Sequence, residues 1–220
     1  MPRYVYIDLD GTLTDPFEGI SNCIGYALER LGQARPGDDE LRRFIGPPLL
    51  ETFEELLGRE LAPRALGYYR ERFGDIGWRE NAVYPGIHEA LRTMTDAGHC
   101  CFVATTKPHV FARRIVEHFE LAAYFTEVYG SELDGTRTDK TELLRFAQRG
   151  RSAAKESVMI GDRYHDVVGA RNNGFRAIGV TWGFGTADEL RGAGADCLAA
   201  SPEQLPGLIP AARRVRDSGW

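Results

Sequence analysis

The sequence predicts an α/β protein: a doubly wound parallel sheet with a helical segment inserted after its first strand. Short apolar runs bounded by Gly, Asp or Thr recur along the chain, as strands buried on both faces do. Helical patterns separate these runs from residue 86 onward, which implies parallel strands joined by crossovers. Residues 16–83 interrupt the alternation with helical patterns and no convincing strand.

The first strand is "YVYIDL", residues 4–9. In the insert, "GISNCIGYALERLG" has an amphipathic helical pattern. "DDELRRFIGPPLLETFEELLG" gives a helix, a Gly-Pro-Pro break and another helix, and "PRALGYYRERFGDIGW" adds a third or fourth. The chain crosses between the two parts near Asp15–Gly19 and Asn81–Gly86. This gives a core of residues 1–15 and 84–220 and a second domain of residues 16–83. "GIHEALRTMTDAGH" then places Ile87, Leu91 and Met94 at helical spacing and stops at Gly98. The second strand is "CCFVAT" (100–105), followed by the helix "PHVFARRIVEHFEL", which opens on a proline that a first turn tolerates. "TEVYG" (126–130) is the third strand, and "DKTELLRFAQRG" its helix. "SVMIGD" (157–162) is the fourth, and "YHDVVGARNNGF" follows it and closes at Gly174. "RAIGVTW" (176–182) is the fifth strand and "DCLAAS" (196–201) a weaker sixth.

Composition narrows the function classes. A chain of 220 residues with 43% apolar content can bury a core plus a smaller insert. The net charge of −5 gives no sign of the basic surface a nucleic-acid partner requires. No run approaches the ~20 apolar residues of a membrane span. Asp8 and Asp10 interrupt the one N-terminal apolar run, so no signal peptide is visible. A soluble, cytoplasmic protein is expected, monomer or homodimer. Cys23, Cys100, Cys101 and Cys197 form no C-x-x-C pair and fit small buried apolar residues of a reduced compartment. Lys107, Lys140 and Lys155 are the three lysines among 27 basic residues. Each position therefore matters, because arginine does not replace a compact ammonium.

Ligands of open parallel sheets bind outside the carboxyl ends of the strands. Asp8, Asp10, Gly11 and Thr12 follow the first strand; Thr105, Thr106 and Lys107 follow the second. Lys140 opens the helix after the third strand, and Gly161, Asp162 and Asp166 follow the fourth. Carboxylates converging on one rim repel, and burying them unpaired is costly. They suit a hard divalent cation with oxygen ligands, and Mg²⁺ is typically held by one or two carboxylates plus water and substrate phosphate. Asp8 can then act as a nucleophile forming an aspartyl-phosphate, and Asp10 as the acid and base for the leaving alcohol and the attacking water. Thr105 and Lys140 would supply a hydroxyl and a cation to a phosphoryl group in flight. Backbone N–H groups around Leu9–Gly11 would add donors, with Gly11 permitting close approach.

"DLDGTLTD", the Thr ending "CFVATTKP", Lys140 in "DGTRTDKTELL", and "GDRYHD" resemble, in order, the four motifs of the haloacid dehalogenase superfamily. The tail from "GDRYHD" on further resembles the branch of phosphoglycolate phosphatases and bacterial 5′-nucleotidase-like phosphatases. The resemblance covers essentially the whole chain. It implies a Rossmann-like core, a helical cap formed by the insert, and a Mg²⁺-dependent phosphatase acting on a small phosphorylated metabolite. Asp8 would be the nucleophile and Asp10 the general acid/base. Thr105, Thr106, Lys140 and Gly11 would bind phosphate. Asp8, Asp162 and Asp166, with the Asp10 carbonyl, would bind the metal. Thr106 stands where Asn is common in phosphoglycolate phosphatases, which weakens a narrow substrate claim. A phosphomutase shares these motifs. A dehalogenase needs neither the second Asp nor a metal, and a non-catalytic relative would have lost part of the set.

Other residues are less committed. Asp166 fits a metal ligand, a residue behind the ligands or a helix cap. Lys107 fits a supporting or a surface position. Arg42 and Arg43, with Gly46 and Pro47 at the Gly-Pro-Pro break, suit either contacts to a substrate's tail or a solvated helical face. Tyr68, Tyr69, Phe73 and Trp78 fit cap core rather than a stacking platform. His88, His99, His109 and His118 fit surface positions, and His165 a variable loop position.

Overall fold

The computed structural model describes residues 3–151 and 157–209; Lys155 lies outside them. Strand β1 (Tyr4–Ile7) leads into a tight loop and the short strand β2 (Thr14–Asp15). The insert carries α1 (Phe17–Arg30), α2 (Asp38–Arg43) and α3 (Leu49–Arg72), and the last is broken at Gly58, whose φ of 76° leaves the helical region. A wide turn, Phe73–Gly77, ends it. Strand β3 (Ala82–Val83) returns the chain to α4 (Ile87–Asp96) and β4 (Cys100–Pro108). The units α5 (His109–His118), β5 (Phe125–Ser131), α6 (Lys140–Ala147), β6 (Val158–Gly161), α7 (Tyr164–Asn172) and β7 (Arg176–Val180) alternate thereafter. Helix α8 (Ala187–Ala193), β8 (Cys197–Ala199) and α9 (Leu205–Leu208) complete the described chain.

The sheet is parallel throughout, in the order β5-β4-β1-β6-β7-β8. The chain leaves β1 on one side for β4 and β5, then returns to β6 on the other. A crevice therefore opens at the carboxyl ends of β4, β1 and β6, where the order reverses. Val5, Ile7, Val103 and Ile160 face one side of the sheet; Tyr6, Phe102 and Met159 face the other, as the two-residue period dictates.

Three expectations need adjustment. β2 and β3 pair antiparallel at the base of the insert, although residues 16–83 showed no strand. Two-residue strands carry no periodicity to read. β4 runs on to Pro108, because its pairing with β5 resumes at Pro108–Ser131 after a register shift following Ala104. Thr106 and Lys107, expected beyond a strand that ends at Thr105, thus sit with Thr105 on its irregular end. Cys100 and Cys197 are half-buried, whereas Cys23 and Cys101 are buried, and all four are free.

The insert packs onto the carboxyl end of the sheet. Ile20, Phe53, Tyr69 and Phe73 belong to the same apolar cluster as Val5 and Ile160. Tyr69 stacks on Phe73, and Phe73 meets Phe111 of α5 edge-on, with centroids 5.4 and 5.1 Å apart. Arginine-to-carbonyl bonds join the parts at the rim: Arg70 to Leu133 (2.9 Å), Arg114 to Gly74 (3.0 Å) and Arg163 to Ile45. Tyr69 and Phe73 wall the cleft, Trp78 packs against His118 of α5 at the junction of the two parts, and half-buried Tyr68 lies under Arg30. His88 and His118 are exposed, whereas His99 and His109 are half-buried.

Candidate active site

Asp8 leaves β1 one residue after its last pairing, with its own N–H donating to the Ile160 carbonyl of β6 at 2.9 Å. Its Oδ1 accepts from the Leu9 N–H at 2.8 Å, which fixes the carboxylate over the sheet end. Asp162 follows β6. Its Oδ1 accepts from the Thr12 hydroxyl at 3.3 Å and its Oδ2 from the Phe184 N–H at 2.8 Å. Asp166, in the first turn of α7, accepts from the Arg163 N–H at 3.1 Å through Oδ2. It is a helix cap and also a member of the cluster: oxygens of Asp8, Asp162 and Asp166 all lie within 4.8 Å of one another.

Lys140 is the first residue of α6, where a cation opposes the helix dipole. Its side chain turns inward instead of out to water. The ammonium lies 2.7 Å from Asp166 Oδ1 and 3.1 Å from Asp8 Oδ1, and donates to the Ala104 carbonyl at 2.8 Å. Burial disfavours its charge, but Asp166 and Asp8 together outweigh that and hold it above its usual value. Burial, then repulsion from Asp166 and Asp8, pushes the Asp162 carboxyl up to about 8. Burial likewise pushes Asp166 up to about 6, against the pull of Lys140.

Asp10 sits beside this cluster and pairs with Lys107, whose Nζ is 2.7 Å from Asp10 Oδ2. Burial raises the Asp10 carboxyl despite that partner. Asp8, Asp10, Asp162 and Asp166 therefore face two ammoniums, leaving two negative charges in excess when all are ionised. An excess of that size on hard oxygen donors fits one divalent cation.

The loop glycines leave this space open. Gly11 has φ 78°, and a Cβ there would overlap the Asp162 carboxylate. A Cβ on Gly161 would strike Asp166, and one on Gly183 would strike both the Gly11 carbonyl and Asp162.

Two lobes meet at Asp8. The larger, about 370 Å³, is walled by Leu49, Leu66, Tyr69, Phe73 and Phe111, with Asp10, Thr105, Thr106 and Lys107 at its floor. The smaller, about 320 Å³, is polar and bounded by Glu51, Asp139, Lys140, Arg163 and His165. Gly46 borders both lobes and Pro47 the larger, so the Gly-Pro-Pro break does reach the cleft. Arg43 does not: its exposed side chain lies 3.8 Å from Glu55 and borders neither lobe. Arg42 covers the Phe17 ring. Helix α2 turns both arginines outward because Leu41 and Phe44 take the buried face. His165, a loop position by sequence, borders the polar lobe, and burial lowers its imidazole.

The structure adds contacts that sequence reasoning missed. The Lys107–Asp10 pair, the Thr12 hydroxyl and the Phe184 N–H all act on the acidic cluster. Usable signals were the scarcity of lysine and the two glycines of "TWGFG", which let that loop close over Asp162.

Carboxylates and ammoniums gathered at the switch point of a parallel sheet, beside a helical insert, suit an α/β hydrolase that handles phosphate esters. The haloacid dehalogenase-like hydrolase pattern matches residues 5–180, and the chain belongs to that family. A 5′-nucleotidase of Pseudomonas aeruginosa is 50% identical over 217 residues, covering 97% of this chain and 95% of that protein. The tyrosine-protein kinase PtkA of Mycobacterium tuberculosis is 38% identical over 188 residues, 85% of this chain and 65% of that protein. The crystal structure of a predicted phosphatase from Clostridium acetobutylicum superposes with a TM-score of 0.88 at 41% identity, covering 94% of this chain and 97% of the other. The protein is a phosphoric monoester hydrolase. No helix among the described residues is long and apolar enough to cross a membrane.

Proposed function

We propose that this phosphatase is magnesium-dependent, works through an aspartyl-phosphate on Asp8, and takes nucleoside 5′-monophosphates in preference to phosphoglycolate. The observation that carries the mechanism is the buried triad Asp8, Asp162 and Asp166, two of whose members, Asp8 and Asp166, share the Lys140 ammonium. Residues 16–83 serve as a cap domain over a core of residues 1–15 and 84–220.

Asp8, Asp162 and Asp166, with the Asp10 carbonyl, would hold the magnesium ion. When bound, it supplies positive charge that offsets the carboxylates and the substrate's phosphate. Asp8 attacks phosphorus as the ester P–O bond breaks, and Asp10 gives its proton to the leaving oxygen. Asp10 then takes a proton from water as that water attacks the aspartyl-phosphate, which frees Asp8 and releases phosphate. Thr105, Thr106 and Lys140 orient the phosphoryl oxygens, and Gly11 lets the backbone approach them. The cap keeps bulk water away from the reacting atoms.

The larger lobe supports the substrate preference. Its wall is aliphatic and aromatic, which suits a nucleoside. Phosphoglycolate carries a carboxylate in addition to its phosphate, and that carboxylate needs a cation. Of the two cations that line the lobe, Lys107 is already paired with the Asp10 carboxylate, and exposed Arg70 has one nitrogen bonded to the Leu133 carbonyl.

Phosphorylated metabolites assayed with magnesium, with and without chelator, test this reading. Nucleoside 5′-monophosphates should exceed phosphoglycolate in kcat/KM by about tenfold or more, and chelation should stop turnover. Asp8→Asn should abolish hydrolysis while leaving the circular dichroism spectrum unchanged. Turnover by that variant would overturn the mechanism, and a preference for phosphoglycolate would overturn the substrate assignment.

A further inference from the structure

Lys107 is buried at the irregular end of β4 and belongs to none of the contacts around Asp8, Asp162 and Asp166. Its ammonium has two neighbours from different parts of the molecule. One is Asp10 Oδ2 at 2.7 Å; the other is the Phe73 ring of the insert, whose centroid lies 4.6 Å away. Burying an ammonium is costly unless it is paired, and an aromatic face adds to the pairing once water is excluded. The strand end that carries Lys107 is braced twice: its N–H donates to Thr105 Oγ1 at 3.2 Å, and Ser131 Oγ donates to the Thr106 carbonyl at 2.7 Å. Phe73 is in turn held between Tyr69 of the insert and Phe111 of the core.

We propose that Lys107 is a positioning residue: it fixes the Asp10 carboxyl toward the leaving oxygen, and the cap holds Lys107 in place through Phe73. The inference rests on the role given to Asp10 above. Asp10 transfers its proton to the leaving oxygen as the P–O bond breaks and the Asp8 oxygen–phosphorus bond forms, so the leaving group departs as a neutral hydroxyl. A carboxyl free to rotate away would transfer that proton less efficiently. The aromatic cap wall thereby reaches the chemistry without touching phosphate. A lysine that instead bound the phosphoryl group would assist every ester alike.

Two esters of similar ring size separate these roles. p-Nitrophenyl phosphate releases a stable anion that needs little proton assistance, whereas benzyl phosphate releases an alkoxide that needs much. With each, kcat/KM reports the steps up to departure of the leaving group. Asp10→Asn, Lys107→Met and Phe73→Leu are compared with wild type, together with KM and kcat on both esters. For Lys107→Met the loss on benzyl phosphate should exceed that on p-nitrophenyl phosphate by about tenfold or more, a part of the ~10²–10⁴ that general acid catalysis contributes. The KM for the two esters should move alike. Phe73→Leu should show the same bias, smaller. If Lys107→Met loses both activities equally, or neither, Lys107 does not act through Asp10 and the proposal is wrong. If Phe73→Leu shows no bias, the link to the cap is wrong. Should Lys107→Met fail to fold, Lys107→Gln decides on the same criterion. An Asp10→Asn variant without bias would instead remove the acid role of Asp10, a separate failure.

Discussion

Replacing Asp162 by Asn removes one carboxylate from the buried cluster with almost no change of shape. The Asp162 carboxyl is pushed from 3.8 up to about 8, first by burial and then by Asp166 and Asp8. At 1.36 kcal/mol per pKa unit, keeping it ionised in the metal-free fold costs at most roughly 6 kcal/mol. Its folded value lies above its unfolded one. The corresponding stability is therefore complete below about pH 4 and is lost as pH rises towards 8. Between pH 5.5 and 8 the loss comes to about 3 kcal/mol, or on the order of 10 °C in Tm for a chain of this size. The Asn variant should escape it. Thermal melts of metal-free wild type and Asp162→Asn at the two pH values measure the difference, and groups common to both, such as His165, cancel. Magnesium should restore the wild type at pH 8 and do little for the variant, since only a ligand bound by the folded state shifts the equilibrium. A metal-free wild type that loses no more Tm than the variant over this range would refute the picture of crowded carboxylates.

Two further outcomes follow from the same geometry. Lys140→Met leaves Asp8 and Asp166 without their shared ammonium, and should cost about 3–5 kcal/mol in urea denaturation at pH 8, the cost of breaking a buried ion pair. Equal stability of the two proteins would mean that the carboxylates are not held by Lys140. Gly11→Ala should lose about 1–3 kcal/mol, because the φ of 78° strains an L residue and the new methyl displaces the Asp162 carboxylate. The magnesium-induced rise in Tm should shrink with it, and an unchanged rise would show that Asp162 has room to move.

Much of this molecule is legible one strand at a time. Asp8, Asp162 and Thr105 stand at or just beyond the ends of apolar runs, and a parallel sheet brings such ends together whatever the details of packing. The helical nature of residues 16–83 follows from side-chain period alone, except at the two-residue ladder β2–β3, which is too short to have a period. Lys140 is the intermediate case. Its place at the start of α6 is local, but its inward turn depends on Asp8 and Asp166, which lie 132 and 26 residues away in the chain. The aim of Lys107 at Asp10 needs the register shift after Ala104, and no spacing rule anticipates that. Arg43 shows the converse: its sequence neighbours border the cleft, yet its own side chain faces solvent because Leu41 and Phe44 claim the inner face of a short helix. The order of residue types thus determined which elements form and which chemical groups reach the sheet's edge. The tertiary structure decided which groups touch, because contacts a few ångströms long depend on side-chain direction and packing that a one-dimensional pattern does not contain.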